Sequence, residues 1–401
     1  MLVEGARGAG AVGVLGGLLR LGAAEQRRVL VALPALVGAG PGLAKAGQVG
    51  DLGHAPTIAP ARRDFHSRRA PFPRPRARAM LPRQQGDDMA QKIIIDTDPG
   101  QDDAVAILLA LASPELQVLG VTAVAGNVPL PLTLRNARVV CELAGRPDVP
   151  VFAGCDAPLE GTLVTAENVH GATGLDGVAL PEPTMPVQDR HGVDFIIDTL
   201  RAEPPGTVTL VPIGPLTNIA AAFRRAPDIV ARVQRIVLMG GAYFEVGNVT
   251  PAAEFNIYVD PVAAAEVFAS GVDLVVVPLD VTHRALTNRA WVETMRGQGR
   301  VGAVVASWTD FFERYDRAKY GHEGAPLHDP CAIAWLIAPD LFSGRRINVE
   351  IETEGRWTRG MTVADWWGVS GRAPNALFLR DVRAEALFAL LTDRIGALGR
   401  A

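Results

Sequence analysis

An unusual concentration of acidic residues follows the first clear apolar run of the chain. After three isoleucines at 93–95, the stretch from Asp96 to Asp103 reads DTDPGQDD and places four carboxylates in eight residues. Like charges this close raise one another's pKa and oppose folding unless a positive group lies among them. A hard divalent cation meets that need, and Ca²⁺ or Mg²⁺ suits it better than Zn²⁺ because no Cys/His cluster accompanies the acids. The stretch therefore predicts a divalent metal site.

Two other interpretations of this stretch remain open from the residues alone. Asp102 could cap a helix by accepting hydrogen bonds from first-turn amides, although that role does not account for four acids. An Asp-x-Asp pair at a strand end also suits a metal-dependent phosphatase with an aspartyl nucleophile and Mg²⁺. That enzyme would need a lysine after a later strand to hold phosphate, and none of Lys45, Lys92 and Lys319 follows one.

Further polar candidates lie on predicted loops. Asn127 follows an apolar run in a Gly-Asn step, which is typical of turns. Asn248, Glu254 and Asn256 place two amides and an acid within nine residues. Such groups can donate to and accept from the hydroxyls of a sugar. The plainer interpretation is a loop whose polar side chains cap its own backbone.

Two histidines could move a proton near neutral pH. His328 directly precedes Asp329, and His170 lies in the ENVHG segment at 167–171. A single loop histidine is often merely solvated, so the residue type alone leaves the role of His170 open.

The elements that must position these residues follow an alternating rhythm. Short β-branched runs alternate with amphipathic helical stretches, and this pattern predicts an α/β fold with a mainly parallel central sheet flanked by helices. Ligands of such sheets bind at the carboxyl ends of the strands, where the acidic stretch lies. The predicted strands are 92–95, 116–124, 208–211, 235–239 and 274–277, and the predicted helices are 102–112, 132–143, 193–200, 216–224 and 261–269.

Composition excludes several classes of protein. The chain of 401 residues is 48% hydrophobic and 20% charged, with a net charge of −4, which is ordinary for a globular protein and does not suggest a nucleic-acid binder. No run reaches the roughly 18 apolar residues of a membrane span. Three scattered cysteines give no disulfide framework. We therefore expect neither a nucleic-acid nor a membrane partner.

The average composition hides a break near residue 89. Residues 1–88 carry 13 basic and 6 acidic side chains, whereas residues 89–401 carry 26 and 37. The first part is rich in Gly, Ala, Arg and Pro without apolar periodicity, which is typical of a disordered or non-native extension. A targeting peptide is the alternative, but Met89 directly precedes the first strand. We expect residues 89–401 to form a single catalytic domain.

Taken in order, the motifs resemble those of the nucleoside hydrolases, the inosine/uridine-preferring family that cleaves the N-glycosidic bond of ribonucleosides. The opening DTDPGQDDA at 96–104 is followed by GNV at 126–128, ENVHG at 167–171, GPLTNIA at 214–220, MGG at 239–241, GNVTP at 247–251, EFNI at 254–257 and LHDP at 327–330. The resemblance runs from about residue 92 to the last helix. It implies a nucleoside hydrolase fold with a Rossmann-like core.

The resemblance also implies a division of roles among the acids. Asp98 is the expected general base for a water bound to Ca²⁺, Asp102 faces the ribose 2′ and 3′ hydroxyls, and Asp96 supports the ligands. The implied metal ligands are Asp98, Asp103, Asp329 and the backbone carbonyl of Ile213.

The remaining motifs are assigned to the sugar and the base. By resemblance, Asn127 contacts ribose or water, Asn248 and Glu254 approach the 5′ hydroxyl, and Asn256 approaches the 2′ and 3′ hydroxyls. His328 is the expected proton donor to the departing base, and His170 is a second candidate facing it.

The family further implies a cytoplasmic enzyme of nucleoside salvage that forms a homodimer or homotetramer. The two histidines resemble the inosine/uridine or pyrimidine-preferring branches, since a purine-specific branch would place tryptophans around the base. A catalytically silent, Ca²⁺-stabilised ribose-binding protein is the alternative of a different class. An aromatic stretch at 311–321 is either a lid over the base or a helix packed into the core.

Overall fold

The fold is described from a computed structural model. The structure describes residues 90–321 and 324–399, so the interpretations of residues 1–88 and of the start at Met89 lie outside the described residues. The strands are β1 (Gln91–Thr97), β2 (Leu116–Ala123), β3 (Val151–Ala153), β4 (Val208–Pro212), β5 (Val233–Met239), β6 (Leu274–Val277), β7 (Phe342–Ile347), β8 (Val349–Ile351), β9 (Thr362–Ala364) and β10 (Ala376–Val382).

Eight of these strands form one sheet in the order β3-β2-β1-β4-β5-β6-β10-β7. Every neighbouring pair is parallel except β10 with β7. The mainly parallel sheet predicted from the sequence is thus confirmed. The order from β3 to β6 is that of a doubly wound Rossmann-like sheet. Strands β2 and β3 are added on one side of β1 and strands β4 to β6 on the other, so the strand order reverses between β1 and β4. Ligands of such sheets bind outside this reversal point.

Helices cover both faces of the sheet, which explains why its strands read as continuous apolar runs. In β1 the side chains of Ile93 and Ile95 enter one core cluster and that of Ile94 enters the other. The helices are α1 (Gln101–Leu111), α2 (Leu130–Leu143), α3 (Glu167–His170), α4 (Gly192–Ala202), α5 (Thr217–Arg225), α6 (Phe255–Val259), α7 (Pro261–Ala269), α8 (Leu279–Thr282), α9 (Arg289–Arg296), α10 (Gly299–Tyr320), α11 (Pro330–Ile337) and α12 (Ala384–Leu398).

The five predicted strands and five predicted helices are all present. The first core cluster packs α1, α2 and α9 to α12 on one face, and the second packs α4, α5 and α7 on the other. Strands β8 and β9 form a separate antiparallel ribbon. Within the described part of the chain, no helix has the length and apolar character needed to cross a membrane.

Candidate active site

A cavity of about 220 Å³ opens at the carboxyl ends of the central strands. It receives side chains from segments far apart in the chain, because parallel strands bring their carboxyl ends to one edge of the sheet. All but one of the residues predicted to bind metal or substrate or to act in catalysis line this cavity: Asp102, Asp103, Asn127, His170, Ile213, Asn248, Glu254, Asn256, His328 and Asp329. The exception is Asp98, which is 1% exposed.

Three carboxylates form the floor of the cavity. Each of Asp102, Asp103 and Asp329 offers an oxygen within 4.8 Å of the others, and all three side chains are buried. Burial and the charge of Asp103 raise the pKa of Asp102 to about 7. Burial and the three neighbouring aspartates hold the pKa of Asp329 well above its ordinary value. These acids repel one another when ionised, which is the electrostatic signature of a cation site.

Asp98 lies between two glycines at the edge of this cluster. Its Oδ2 accepts a hydrogen bond from the Asn127 amide at 2.6 Å, whereas its buried Oδ1 has no hydrogen-bond partner among the described residues. A Cβ at Gly126 or Gly214 would collide with the Asp98 carboxylate, so only glycine fits at either position. Burial and the charges of Asp103 and Asp102 hold the pKa of Asp98 well above its usual range. An unpartnered carboxylate oxygen beside three further acids fits a divalent cation.

Asp103 is fixed by groups that leave its position little freedom. Its Oδ1 accepts from the Thr97 hydroxyl at 2.6 Å, and its Oδ2 accepts from the Gly100 amide at 3.0 Å and from Asn127 Nδ2 at 3.1 Å. The capping role considered for Asp102 thus belongs to Asp103, which accepts from the residue preceding α1. Asn127 Nδ2 also donates to the Asp98 carbonyl at 3.1 Å. Asn127 therefore ties two acids together in addition to lining the cavity.

Asp96 lies below the cluster rather than in the cavity. Its Oδ1 accepts from the Thr122 hydroxyl at 2.5 Å and from Asn218 Nδ2 at 2.7 Å. Burial raises the pKa of Asp96 to about 7, against the lowering effect of these two hydrogen bonds. Asn218 also accepts from the Cys155 amide and donates to the Ala123 carbonyl. Asp96 and Asn218 together hold the ends of β1, β2 and β3, which agrees with the supporting role expected of Asp96.

The polar loop residues line the opposite wall and also cap their own backbone. Glu254 accepts from the amides of Gly241, Asn256 and Ile257, and burial raises its pKa to about 7. Asn248 Oδ1 accepts from the Phe255 amide at 2.9 Å. The self-capping interpretation is therefore correct for two of these residues, and each still borders the cavity.

The carbonyl of Ile213 points toward this wall. Asn256 Nδ2 donates to it at 2.8 Å and to the Met239 carbonyl at 3.2 Å. A carbonyl oxygen has two lone pairs, so one remains for a further partner of Ile213. Since both amide protons of Asn256 are directed at the backbone, its Oδ1 is the atom left to accept from a ligand.

His170 is a neutral imidazole with a defined tautomer. Gln101 Nε2 donates to the carbonyls of His170 and Asp176 at 2.9 and 3.0 Å, which fixes Gln101 Oε1 as an acceptor. His170 Nδ1 lies 2.6 Å from that oxygen and must carry the proton. Burial lowers the pKa of His170 to about 4. Its Nε2 is therefore a hydrogen-bond acceptor, and this geometry disfavours His170 as a proton donor.

His328 borders the cavity beside Thr282 and His283 at the end of α8. Its Nδ1 is 2.7 Å from the Thr282 hydroxyl, and its ring centroid is 5.9 Å from that of His283. Burial, followed by the effects of His283 and His170, holds the pKa of His328 well below its ordinary value. His283 Nδ1 also lies 3.3 Å from Glu245 Oε2.

Sequence reasoning missed several residues of the cavity wall. His283 borders the cavity together with Phe312, Tyr315 and Lys319 of α10, and none of the four was predicted as a binding or catalytic residue. Lys319 Nζ donates to the Asn248 carbonyl at 2.6 Å and to the Tyr315 hydroxyl at 2.9 Å. The aromatic stretch at 311–321 spans the end of α10. Phe312 is 3% exposed and packs into the core, as expected of a core helix, and it also borders the cavity. Helical spacing of Phe312, Tyr315 and Lys319 was the available signal.

A comparison with known proteins shows the family to which the chain belongs. A model of the family described as inosine-uridine preferring nucleoside hydrolase matches residues 93–389. The chain is 53% identical over 308 residues to an uncharacterized protein of Schizosaccharomyces pombe, covering 77% of this chain and 99% of that one. It is 49% identical over 309 residues to the pyrimidine-specific ribonucleoside hydrolase RihA of Klebsiella pneumoniae, with the same coverage of 77% and 99%.

Solved structures give the same result. The purine-preferring ribonucleoside hydrolase from Gardnerella vaginalis matches with a TM-score of 0.73 and 34% identity, over 77% of this chain and 99% of that one. A plant nucleoside hydrolase matches with a TM-score of 0.71 and 35% identity, over 77% and 100%. The fold and these matches together define a hydrolase with a mainly parallel sheet between helices and an acidic centre at its carboxyl edge. The chain belongs to the inosine-uridine preferring nucleoside hydrolase family, and the resemblance of its motifs is confirmed.

Proposed function

We propose that this enzyme hydrolyses the N-glycosidic bond of ribonucleosides to ribose and a free base, using a Ca²⁺-bound water and Asp98 as general base. The observation that carries the proposal is the buried, unpartnered Oδ1 of Asp98 beside the mutually repelling Asp102, Asp103 and Asp329. A bound cation relieves this repulsion and allows the carboxylates to be ionised at neutral pH.

The donor set is made entirely of oxygens. Asp98, Asp103, Asp329 and the Ile213 carbonyl would hold the ion, and hard oxygen ligands favour Ca²⁺ or Mg²⁺ over transition metals. Ca²⁺ is proposed because the site is built from several carboxylates and a backbone carbonyl, the mixture that Ca²⁺ accepts. When bound, the cation would lower the pKa of a water molecule coordinated to it.

The side chains of the chain then perform three tasks. Asp98 accepts the proton of the attacking water, and it is ionised in the loaded site because a nearby positive charge lowers a carboxyl pKa. Asp102 and the Oδ1 of Asn256 accept hydrogen bonds from the ribose 2′ and 3′ hydroxyls. Asn248 and Glu254 contact the 5′ hydroxyl. These contacts hold the sugar while positive charge develops on it during bond cleavage.

The base leaves on the side of the two histidines. His328 donates a hydrogen bond to the departing base, and His170 accepts one from its edge through Nε2. No tryptophan is among the described residues that line the cavity, and RihA of Klebsiella pneumoniae, 49% identical, carries a pyrimidine-specific name. We therefore propose a preference for pyrimidine ribonucleosides.

The cellular setting is part of the proposal. We propose that residues 89–401 form the catalytic domain, which the match over residues 93–389 supports. We further propose that it acts in nucleoside salvage in the cytoplasm as a homodimer or homotetramer, and light scattering of the purified protein tests the assembly.

The proposal is tested by the release of reducing sugar from inosine, adenosine, guanosine, uridine and cytidine, with and without a chelator. Chelator-sensitive release, restored by Ca²⁺ and fastest for uridine and cytidine, is the expected result. Asp98→Ala should abolish turnover with an unchanged circular dichroism spectrum, whereas Asp340→Ala, on an exposed turn, should not affect it. Ca²⁺ binding without release from any nucleoside would instead favour a silent ribose-binding protein.

A further inference from the structure

Thr282 is a buried residue with no role in the proposed chemistry. Its hydroxyl forms a hydrogen bond with the imidazole of His328. Its hydroxyl is fully buried at the end of α8 and lies 2.7 Å from His328 Nδ1. Helix α8 follows β6 directly, so Thr282 stands on a short helix at the carboxyl edge of the sheet. The placement of its hydroxyl is therefore set by the core of the sheet.

The direction of this hydrogen bond follows from counting protons. A threonine hydroxyl has one proton to donate, and a buried hydroxyl without an acceptor is unfavourable. Within a helix, a threonine hydroxyl commonly donates to the carbonyl four residues earlier, as Thr309 does to Val305 at 2.9 Å. In Thr282, by contrast, the group that donates to the Pro278 carbonyl is the backbone amide, at 3.1 Å, and not the hydroxyl. Among the described residues, His328 Nδ1 is the atom placed to accept the proton of the Thr282 hydroxyl.

If Thr282 donates to Nδ1, that nitrogen carries no proton. A neutral imidazole has one N–H, so the proton of His328 must then be on Nε2. Only this tautomer can donate a hydrogen bond from Nε2. The opposite tautomer would leave the Thr282 proton without an acceptor in a buried position.

We propose that Thr282 is a positioning residue that holds His328 in the Nε2–H tautomer, so that the imidazole presents a donor to the departing base. This inference rests on the proposed function for its catalytic consequence, although the tautomer itself is a property of the free protein. The site then carries two imidazoles of opposite character. Gln101 makes His170 Nε2 an acceptor, and Thr282 makes His328 Nε2 a donor.

The first test is spectroscopic and needs no substrate. In full-length protein labelled with ¹⁵N-histidine, the two imidazole nitrogens of a neutral ring have distinct chemical shifts according to which one is protonated. His328 signals are assigned by their loss in His328→Asn. We expect Nδ1 unprotonated and Nε2 protonated in the wild type and in Thr282→Ser, and a mixture of tautomers in Thr282→Val. A protonated Nδ1 in the wild type would overturn the proposal even if every variant folded poorly.

The second test separates leaving-group chemistry from folding. Thr282→Val should lower kcat for uridine or inosine by about 10-fold or more. The loss should stay smaller than the roughly 10²–10⁴-fold expected when a general acid is removed altogether. KM should change little, and an activated nitrophenyl riboside, whose leaving group needs no proton, should be cleaved at the wild-type rate. Thr282→Ser should restore activity. Thr309→Val, another buried threonine on a helix, is the matched control and should behave as wild type.

The outcomes distinguish the two proposals. Equal loss on both substrates in Thr282→Val, or no loss on either, contradicts the positioning role. Absence of all ribohydrolase activity in the wild type contradicts the proposed function, while the ¹⁵N spectrum still decides the tautomer.

Discussion

The glycine at the end of β4 provides a sharp test of the position of Asp98. A Cβ added at Gly214 would lie 3.0 Å from Asp98 Cγ and nearer still to Oδ1, and 3.1 Å from the Asp98 backbone nitrogen. Ordinary carbon contacts are about 3.5–4.0 Å, so Gly214→Ala must displace the carboxylate by roughly 0.5–1 Å. The short hydrogen bond from the Asn127 amide to Oδ2 would be strained on the opposite side.

We expect this displacement to lower kcat strongly while the protein stays folded. A misplacement of about 1 Å can reduce a rate by about 10²-fold, which corresponds to about 2.7 kcal/mol of transition-state stabilisation. Overpacking costs about 1–3 kcal/mol of folding free energy, which a domain of this size tolerates. Gly297→Ala is the matched control, because its added Cβ would make only ordinary contacts of 3.4 and 3.9 Å.

The assay is steady-state hydrolysis of uridine at saturating Ca²⁺, together with urea unfolding of both variants. Gly214→Ala should lose about 10²-fold in kcat, and Gly297→Ala should match the wild type in both measurements. A Gly214→Ala enzyme with full kcat would refute the argument that the position of Asp98 between two glycines matters to the reaction.

Three further predictions concern metal binding, pH and stability. Asp329→Ala removes one carboxylate of the cluster and should weaken Ca²⁺ binding by at least about 10²-fold in calorimetric titration; unchanged affinity would exclude this residue as a ligand. Asp102 and Glu254 have folded-state pKa values of about 7, above their ordinary values of 3.8 and 4.5. Their contribution to the stability of the metal-free protein is therefore present below pH 4 and is lost as the pH rises through 7, because the unfolded chain ionises first. Since Ca²⁺ needs ionised carboxylates, it should raise Tm more at pH 8 than at pH 5, and equal increases would contradict the assignment of the site. Gln101→Leu leaves the Nδ1 proton of His170 and two backbone carbonyls without their hydrogen-bond partner, which costs about 1–3 kcal/mol for each fully buried group. Urea unfolding should therefore show a loss of at least about 2 kcal/mol in the free energy of unfolding. The control Gln117→Leu, on the exposed side of β2, should show no such loss.

The central fold was predictable because its strands are buried on both faces. Five apolar runs marked β1, β2, β4, β5 and β6; the bounds of β6 are the predicted ones, and those of the other four strands differ by at most two residues at either end. The remaining strands carried weaker signals. In β7, the four residues between Phe342 and Ile347 are exposed, and β3 is only three residues long. Edge strands and short strands lack the continuous apolar run that identifies a central strand.

The acidic centre was predictable for a different reason, since its residues are concentrated in sequence. Four acids within eight residues indicated a cation site before any tertiary contact was known. The wall formed by His283 with Tyr315 and Lys319 of α10 gave a weaker signal, because His283 comes from a different element and all three residue types are common on surfaces. Hydrogen-bond partners were also beyond the sequence. Nothing in the local pattern indicates that Gln101 orients His170 across 69 positions.

The placement of the cavity at the reversal point of the sheet has a consequence for folding. The acids of the centre come from the loop after β1, from the first turn of α1 and from the residue that precedes α11, so most of the chain is synthesised between the first ligand and the last. Closing such long loops is entropically costly and slow, and the non-local contacts that compensate for it form late. Catalytic activity and tight Ca²⁺ binding should therefore be the last properties recovered on refolding, after helical content and core burial. A ribosome-bound chain that ends before α11 would hold six of the eight strands of the sheet without a complete acidic centre.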